Sequence, residues 1–380
     1  MSSRRIPFNR PFVVGKELFY ISQAVLQGHL AADGPFSARC QAWMESSLGV
    51  RRALLTPSCT AALEIAAILC GLGPGDEVIL PSYTFVTTAT AFAQQGATLR
   101  WIDVREDTLN LDERLIDGLV NPRTRVIVPV HYGGVGCEMD AILAVATRHD
   151  LLVIEDAAQG FGARYRGRPL GAFGALGCYS FHETKNVIAG EAGALVVNEP
   201  RLLERAEIVR QKGTNRSQFL RGEADKYTWV DVGSSFVPSE LTAAFLLAQL
   251  EAYELITQTR RKLWQRYHGA FAHLEAVGRV RRPIVPPHCD HNAHMYYLLC
   301  DSQDARDGLI RHLAAREIHA VFHYVPLHSS PYARKLQHDV PALPVTDRVS
   351  ACLVRLPCYF ELTEADQARV VEGVTSFFAG

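Results

Sequence analysis

From residue 51 onward, short apolar runs alternate along the chain with stretches of helical periodicity. Short apolar runs predict buried strands, and apolar spacings of three and four predict helices. This alternation is typical of an α/β domain whose mostly parallel sheet is covered on both faces. The predicted strands are Ala53–Leu55, Glu77–Leu80, Thr98–Val104, Val126–Val130, Leu152–Glu155, Gly177–Phe181 and Ala194–Val197. The predicted helices between them are Thr60–Cys70, Thr84–Gln94, Leu111–Leu119, Met139–His149 and Pro200–Lys212.

The two ends of the chain carry different patterns. Residues 1–50 indicate an N-terminal arm and two helices, one over Gly15–Gln27 and one ending near Leu48. Residues 213–237 are polar and aromatic, and a long segment of this kind is usually functional. A helical stretch over Pro238–Leu274 follows. Beyond it we predict strands at His294–Cys300 and Ala320–Tyr324 and helices at Arg306–Arg316 and Glu364–Phe378.

These patterns predict two domains. The first covers residues 1–250 and includes an N-terminal arm at 1–35, and the second covers 251–380. The net charge of −1 gives no field that would favour nucleic acid or an anionic membrane. No apolar run approaches the roughly 18 residues of a membrane-spanning helix. The first residues have neither an apolar core nor a cleavage site, so we expect no signal peptide. The nine cysteines contain no C-x-x-C pair and the 14 histidines show no metal-ligand spacing, so we expect a cytoplasmic protein without a bound metal.

One lysine is unusual in its isolation. Lys185 is the only lysine between Glu17 and Gln211, where the other strongly basic side chains are arginines. Arginine cannot lose its proton, whereas a lysine amine can be tuned to form an imine with an aldehyde. An isolated lysine is usually a solvated surface residue, so this interpretation depends on the residues around it.

An acidic pair ends the most apolar of the predicted strands. Asp156 follows Glu155 in the run Glu155–Gln159. Ligands of open α/β sheets gather at the carboxyl ends of strands. A carboxylate there can pair with the protonated ring nitrogen of pyridoxal phosphate (PLP) and make the ring an electron sink. The alternative is an ordinary helix N-cap, which is common for aspartate.

Two further segments place polar groups at predicted strand ends. Ser58–Ala61 opens a predicted helix, whose first amides suit a phosphate, although a plain N-cap is the alternative. Ser82–Phe85 follows the next strand, and its aromatic ring could stack on a flat cofactor or pack in the core. Ser180 could also donate to a phosphate. Each feature is weak alone, but their order with Asp156 and Lys185 favours a PLP enzyme.

With these motifs the chain resembles the DegT/StrS-type nucleotide-sugar aminotransferases. The similarity is greatest to the subgroup of dTDP-4-amino-4,6-dideoxygalactose transaminases. It implies a fold-type I PLP-dependent transferase of the α/β class, with a large domain on a mostly parallel central sheet and a smaller C-terminal α/β domain. The segments that carry it are Leu55–Ala61, Pro81–Val86, Pro129–Tyr132, Glu155–Gly160, Ser180–Asn186, Lys212–Phe219, Asp225–Trp229, Val321–His328 and Arg355–Tyr359.

The resemblance implies a role for each matching position. Lys185 would hold PLP as a Schiff base, and Asp156 would pair with its pyridine nitrogen. The other implied cofactor contacts are Thr60, Ala61 and Ser180 on the phosphate, Phe85 on the ring face and Gln159 near the phenolic oxygen. The implied substrate-binding residues are Asn215, Arg216, Lys226, Tyr227, His323 and Tyr324. The active sites would form in a homodimer, with residues 213–237 contributed to the neighbouring subunit.

The chain departs from the family pattern at two positions. Many relatives carry Asn or Arg at the position of Val237, where an Asn can reach the neighbouring subunit's cofactor phosphate. That contact would fall here to Ser234 or Ser235, or be absent. Many relatives also have glycine at the position of Ala192. An alanine there is tolerated if the position does not require a positive φ.

The activity implied by the resemblance is amine transfer from L-glutamate to C4 of dTDP-4-keto-6-deoxy-D-glucose. The product would be a dTDP-4-amino-4,6-dideoxyhexose, of galacto configuration, for a surface polysaccharide or related glycan. The alternatives are a 3-keto-sugar aminotransferase, a PLP-dependent sugar dehydratase and a non-catalytic regulator that binds a sugar or cofactor. Dehydratases of this fold typically have histidine in place of Lys185. His182 could tune the imine or simply pack, and His131 and Tyr132 could belong to the site or to the core.

Overall fold

The computed structural model describes residues 5–336 and 340–379. Its strands are β1 (Arg52–Thr56), β2 (Glu77–Pro81), β3 (Thr98–Ile102), β4 (Thr124–Ile127), β5 (Leu152–Asp156), β6 (Arg164–Tyr165), β7 (Arg168–Pro169), β8 (Leu176–Ser180), β9 (Gly193–Val197), β10 (Val280–Arg281), β11 (Cys289–Asp290), β12 (Tyr296–Cys300) and β13 (Leu353–Leu356). Its helices are α1 (Glu17–Leu26), α2 (Pro35–Leu48), α3 (Cys59–Leu69), α4 (Val86–Ala93), α5 (Ile116–Leu119), α6 (Met139–Arg148), α7 (Leu203–Arg210), α8 (Arg216–Leu220), α9 (Glu240–Glu251), α10 (Tyr253–Ala270), α11 (Ala272–Ala276), α12 (Gln303–Ala314), α13 (Pro331–Leu336), α14 (Pro344–Cys352) and α15 (Glu364–Ala379).

Seven strands form one large sheet in the order β1-β9-β8-β5-β4-β2-β3. The strands β3, β2, β4, β5 and β8 pair in parallel, and β9 pairs antiparallel with both of its neighbours. Parallel neighbours need crossover connections, which α4 supplies between β2 and β3 and α6 between β4 and β5. The predicted α/β class with a mostly parallel central sheet is confirmed.

Both faces of this sheet are covered. Along β9, Leu195 and Val197 pack in the core that contains residues of α3 and α4, while Ala194 and Val196 pack in the core that contains residues of α2 and α9. The alternation follows from the two-residue repeat of side chains along a strand. It explains why each strand reads as an almost continuous apolar run, since both sides of each strand are buried.

The same alternation separates the two carboxylates at the end of β5. Ile154 packs on the face that holds α3 and α4, and Val153 packs with α6 on the other face. Asp156 therefore shares the face of Ile154, whereas Glu155 shares that of Val153. The side chains of Glu155 and Asp156 therefore point to opposite faces of the sheet, because successive side chains alternate along a strand.

The C-terminal part contains a separate antiparallel sheet in the order β10-β12-β13. Its core combines residues of this sheet with residues of α10, α12 and α15. The predicted domain boundary at residue 250 stays a prediction, and it falls next to the junction between α9 and α10. Residues 1–4 of the predicted arm, and residues 337–339 and 380 of the predicted second domain, lie outside the described residues.

Three predicted elements differ from the structure. The strand predicted at Ala320–Tyr324 is wrong, because only Val321 forms a bridge, to Arg355, and Tyr324 has a φ of 40° that ends the extended backbone. The long helix predicted over Pro238–Leu274 is three helices, α9, α10 and α11. The helix predicted at Leu111–Leu119 begins instead as a 3₁₀ turn before α5.

Three findings concern the described residues taken together. None of the helices in residues 5–336 and 340–379 is long and apolar enough to cross a membrane. Within the same residues, no group of three or more His, Cys, Asp or Glu side chains is placed to hold a metal ion. The cysteines are free thiols, and all of them except Cys70 are buried.

Candidate active site

Asp156 lies buried at the carboxyl end of β5. Its Oδ2 accepts a hydrogen bond from Thr88 Oγ1 at 2.7 Å, and its Oδ1 accepts one from the amide of Ala158 at 3.1 Å. The hydroxyl of Thr84 lies 2.8 Å from that of Thr88. The start of α4 therefore fixes the orientation of the carboxylate, because Asp156 is on the sheet face that α4 covers.

Glu155 and His131 form a buried pair on the opposite face. Glu155 Oε2 lies 2.9 Å from His131 Nε2, and the same carboxylate accepts from the amides of Gly171, Phe173 and Gly174 at 2.6–2.7 Å. A buried carboxylate is tolerated when donors surround it in this way. His131 and Glu155 thus hold the 171–174 turn against β5, and they are structural supports of the strand that carries Asp156.

The N-terminus of α3 supplies backbone amides to the site. Ser58 caps this helix, with its Oγ accepting from the amide of Ala61 at 3.1 Å. The first amides of a helix have no acceptor within it. The amides of Cys59 and Thr60, together with the positive end of the helix dipole, are therefore suited to an anion such as phosphate.

Gly193 starts β9 directly against this helix terminus. A Cβ at this position would lie 2.4 Å from the carbonyl carbon of Ser58 and 2.5 Å from the amide nitrogen of Cys59. Only glycine allows the two backbones to approach so closely. The neighbouring Ala192 does not have a positive φ, whereas Gly190 does, at 73°. The alanine at position 192 therefore introduces no backbone strain.

Lys185 lies in the turn that follows β8. Its amide donates to the carbonyl of His182 at 2.9 Å, and its side chain is partly buried. Burial lowers the pKa of the Lys185 amine, and Arg355 acts in the same direction, while Cys59 and Asp156 oppose the shift. A lower pKa increases the fraction of neutral amine, which is the form that attacks an aldehyde.

Gln159 and Tyr324 are hydrogen-bonded to each other and line the same cavity as Lys185. Gln159 donates through Nε2 to the hydroxyl of Tyr324 at 2.8 Å and accepts from the amide of Gly133 at 2.7 Å. Tyr324 has a left-handed backbone, which is rare for a residue other than glycine. Its carbonyl accepts from Ser350 Oγ at 2.9 Å, and its ring stacks on that of His323 at 3.6 Å between centroids. These contacts hold the strained tyrosine in place.

His323 belongs to a buried aromatic cluster. Its Nδ1 lies 2.7 Å from the hydroxyl of Tyr132, and its carbonyl accepts from the hydroxyl of Tyr83 at 3.1 Å. Burial lowers the pKa of His323 well below the ordinary value, and Arg355 adds to this effect. His323 is therefore neutral at physiological pH and can hydrogen-bond a polar substrate without adding charge.

Lys185, Asp156 and several of their neighbours line one cavity of about 730 Å³. Its size is within the range of small-molecule sites. The predicted residues that the fold brings to its wall are Thr60, Phe85, Asp156, Gln159, Ser180, Lys185, His323 and Tyr324. Ala61 is buried outside this lining, with its amide engaged by Ser58. Phe85 is about half exposed at the start of α4.

Four predicted substrate-binding residues do not reach this cavity within one chain. Asn215, Arg216, Lys226 and Tyr227 lie in the 213–237 segment, which is mostly exposed. Asn215 Oδ1 accepts from the amide of Thr228 at 2.7 Å, so it organises its own segment. Tyr227 packs against Phe219. Their predicted role stays a prediction.

Two residues of the site were not assigned a role from the sequence. Thr88 holds Asp156, and its only sequence signal is the four-residue spacing from Thr84 at the start of a helix. Arg355 lies in the cavity wall and belongs to the last segment that resembles the family. His182 also lines the cavity, where its Nδ1 lies 2.9 Å from Thr184 Oγ1, so both of its proposed roles stay open.

Residues 14–375 match the DegT/DnrJ/EryC1/StrS aminotransferase family. The chain belongs to this family. The resemblance drawn from the motifs and the fold-type I architecture are confirmed, and PLP is the cofactor of the family. Lys185 and Asp156, which the sequence predicted to contact PLP, line one cavity together with the start of α3.

Individual proteins are similar to this chain over nearly their full lengths. SpsC of Bacillus subtilis (strain 168), a spore coat polysaccharide biosynthesis protein, is 31% identical over 383 residues, which cover 99% of this chain and 97% of SpsC. DesV of S. venezuelae, solved with a ketimine intermediate, is 30% identical with a TM-score of 0.90 over 99% of each chain. Spr1654 of Streptococcus pneumoniae has the same fold, with 23% identity and a TM-score of 0.91 over 98% of each chain. Spr1654 has been solved in PMP and PLP forms.

Gly193→Ala is expected to destabilise this aminotransferase and to weaken its retention of PLP. The added methyl group would force the start of α3 away from β9, at a cost of about 1–3 kcal/mol. Thermal unfolding and an absorbance titration of the cofactor measure the two effects. Gly269→Ala is the matched control, because no atom lies within 4 Å of the added Cβ. Equal stability and cofactor affinity in both variants would contradict the close packing described here.

Proposed function

We propose that this protein is a sugar aminotransferase that moves an amino group from L-glutamate to C4 of dTDP-4-keto-6-deoxy-D-glucose. The product would be a dTDP-4-amino-4,6-dideoxyhexose of galacto configuration. The observation that carries the proposal is the single cavity in which Lys185, Asp156 and the N-terminus of α3 meet. Similarity to SpsC, whose name places it in spore coat polysaccharide biosynthesis, supports a sugar substrate for a surface glycan.

The residues of the cavity suit PLP in three respects. Lys185 offers a partly buried amine whose pKa is lowered. Asp156 offers a carboxylate whose direction is fixed by Thr88. The first turn of α3 and Ser180 offer amide and hydroxyl donors for a phosphate. A flat aromatic cofactor also needs a group on its ring face, and both Phe85 and Gln159 line the cavity.

When bound, PLP supplies an electron sink that stabilises negative charge on the carbon next to the transferred nitrogen. Asp156 would hold the proton of the pyridine nitrogen through a charge-assisted hydrogen bond. Its carboxylate needs no reorganisation for this task, because Thr88 and the amide of Ala158 already orient it. The pair Gln159 and Tyr324 would fix the ring from the other side of the site.

Lys185 would serve in two ways. Its amine would hold the cofactor covalently in the resting enzyme. When it is not attached to the cofactor, Nζ of Lys185 would act as the base that accepts the proton of the donor's α-carbon and as the acid that returns it. A neutral amine is required for this transfer, and the lowered pKa of Lys185 provides a larger fraction of it. The same steps in reverse would place the amine on the keto sugar.

A homodimer would complete the site. The 213–237 segment exposes Tyr227, Trp229, Val230 and Val232 to solvent in the single chain. Exposed apolar groups in such a cluster commonly mark an interaction surface. In the dimer, Asn215, Arg216, Lys226 and Tyr227 would meet the nucleotide sugar bound to the neighbouring subunit.

The free thiols support the cytoplasmic location predicted from the sequence.

Absorbance spectroscopy of the enzyme loaded with pyridoxamine phosphate tests the substrate. The loaded enzyme is mixed in turn with dTDP-4-keto-6-deoxyglucose and with its 3-keto isomer. We expect the PLP spectrum to return with the 4-keto sugar only. Its return only with the 3-keto sugar would keep the enzyme class and overturn the position of amination. No return with either sugar would contradict the proposed substrate and favour a protein that binds without turnover.

A further inference from the structure

His294 lies in the cavity wall, on the segment that leads into β12. Nδ1 of its imidazole is 3.2 Å from Oδ1 of Asn186, the residue that follows Lys185 in the chain. This contact joins the C-terminal part of the protein to the turn that carries the reacting lysine. The imidazole of His294 is therefore held beside the centre of the chemistry.

The backbone around His294 is fixed by several contacts. Arg260 donates through Nε to the carbonyl of Ala293 at 3.1 Å and through Nη2 to that of His294 at 2.6 Å. The amide of His294 donates to Oδ1 of Asn292 at 3.0 Å, and Nδ2 of Asn292 donates to two carbonyls in residues 159–161. Ala293 has a left-handed φ of 52°, which is rare for a residue other than glycine. Backbone strain of this kind persists where the surrounding contacts enforce it, commonly at functional sites.

The hydrogen bonds of Asn186 determine which nitrogen of His294 carries the proton. Asn186 donates through Nδ2 to the carbonyl of Asn292 at 2.8 Å, and a carbonyl can only accept. Oδ1 of Asn186 therefore faces His294 as an acceptor, so Nδ1 of His294 is the donor. Burial lowers the pKa of His294 well below its ordinary value, and the charge of Lys185 acts in the same direction. The imidazole is therefore neutral, with a proton on Nδ1 and a lone pair on Nε2.

Nε2 of His294 has no hydrogen-bond partner among residues 5–336 and 340–379. Because Asn186 engages Nδ1, Nε2 is the polar atom of the ring that remains for a molecule in the cavity. His182, another histidine of the wall, is arranged in the opposite way. Its Nδ1 accepts from the amide of Thr184 at 3.2 Å, so its Nε2 carries the proton, 3.4 Å from a carboxylate oxygen of Glu191. His294 thus brings an acceptor to the cavity, and His182 does not.

The cofactor and the amino donor offer this acceptor no partner. The phosphate and the phenolate of PLP accept hydrogen bonds, and the proton of its ring nitrogen belongs with Asp156 in the proposed function. L-glutamate has no donor left once its amine is joined to the cofactor, because its two carboxylates also accept. A keto sugar differs, since its hydroxyl groups donate. The lone pair of His294 therefore suits the sugar.

We propose that Nε2 of His294 accepts a hydrogen bond from the sugar hydroxyl next to the carbonyl that receives the amine. In dTDP-4-keto-6-deoxy-D-glucose this is the hydroxyl at C3, because C5 carries none. This inference rests on the proposed function and deepens it, since it names the group of the sugar that His294 recognises. The tie to Lys185 through Asn186 places the acceptor close to the reacting carbon, where this hydroxyl must lie. His294 would thereby select the sugar and orient its carbonyl.

Calorimetric titration of the pyridoxamine phosphate form with dTDP-6-deoxy-D-glucose tests the contact without turnover. This sugar has a hydroxyl at C4 in place of the carbonyl, so it cannot receive the amine. We expect His294→Asn to weaken its binding about 10- to 100-fold, because asparagine keeps a donor for Asn186 but has no acceptor at the place of Nε2. The 2-deoxy analogue should lose as much affinity as the parent sugar. The 3-deoxy analogue should bind the wild-type enzyme and His294→Asn within about twofold, since it lacks the group that the histidine meets.

The two half-reactions show whether the effect is confined to the sugar. Rapid mixing of His294→Asn with dTDP-4-keto-6-deoxy-D-glucose is expected to show a parallel loss of affinity, whereas L-glutamate should stay within about twofold. His294→Gln is expected to recover part of the affinity, because its amide oxygen can accept near the position of Nε2. His273→Asn is the matched control, since His273 is exposed on α11 and does not line the cavity. It is expected to leave every titration unchanged.

Three results would overturn the inference. Unchanged binding of dTDP-6-deoxy-D-glucose to His294→Asn would show that Nε2 does not meet the sugar. An equal loss for the 3-deoxy analogue would move the contact to another group. An equal loss in the L-glutamate half-reaction would indicate a general disturbance of the cavity. If the wild-type enzyme binds dTDP-6-deoxy-D-glucose but does not aminate the 4-keto sugar, the proposed function fails, while the titrations still decide the role of His294.

Discussion

Replacement of Lys185 by alanine is expected to abolish amine transfer, with a loss in rate of about 10⁴-fold or more. The variant loses both the covalent attachment of the cofactor and the base that moves the proton at the α-carbon. Among the residues whose side chains line the cavity, no second lysine is available to replace it. The loss is measured as the rate of the half-reaction with L-glutamate, followed by the absorbance of the cofactor.

Two further variants show that the effect is chemical and local. Lys185→Arg keeps a cation at the site but cannot form an imine, so it is expected to be as inactive as the alanine variant. Lys262→Ala removes an exposed lysine of α10 and is expected to retain the wild-type rate. A Lys185→Ala enzyme that turned over at the wild-type rate would disprove the role given to this residue.

Asp156→Asn is expected to lower the rate of transfer by about 10²- to 10³-fold. The amide oxygen can still accept the hydrogen bond from Thr88, although the NH2 group cannot accept the one from the amide of Ala158. It lacks the negative charge that keeps the pyridine nitrogen protonated, and the ring then loses most of its power as an electron sink. Asp156→Ala should lose most of the activity for the same reason. Single-turnover rates and the spectrum of the bound cofactor measure both variants.

An exposed aspartate provides the comparison for this prediction. Asp140 pairs with Arg166 on the surface, with 59% of its side chain exposed. Asp140→Asn is expected to keep the wild-type rate, because exposed ion pairs contribute little. If Asp156→Asn were as active as Asp140→Asn, the carboxylate at the end of β5 could not be the partner of the ring nitrogen.

The large sheet was predictable from the sequence because its strands are buried on both faces. Each of its strands overlaps a predicted apolar run, and β9 shows the reason, with alternate residues packed in two different cores. The C-terminal part was harder. The chain around 321–324 has aromatic residues typical of a strand, yet the left-handed φ of Tyr324 ends the extension after one bridge. Backbone strain of this kind has no periodic signal in a sequence.

The site was predictable where one residue type carries the chemistry. Lys185 was identified by its isolation among arginines, and Asp156 by its place at a strand end. Thr88 was not, because its role depends on which distant segment it meets, and it contacts a residue in β5. Hydrogen bonds and charges between segments far apart in the chain appear only once the sheet is formed.

The most direct test of this account is to identify the lysine that holds the cofactor. The PLP form is reduced with borohydride, digested and mapped by mass spectrometry. The account predicts the reduced cofactor on the peptide that contains Lys185. Its presence on any of the other lysines, Lys16, Lys212, Lys226, Lys262 or Lys335, or the absence of any adduct, would contradict the assignment of this cavity as the PLP site.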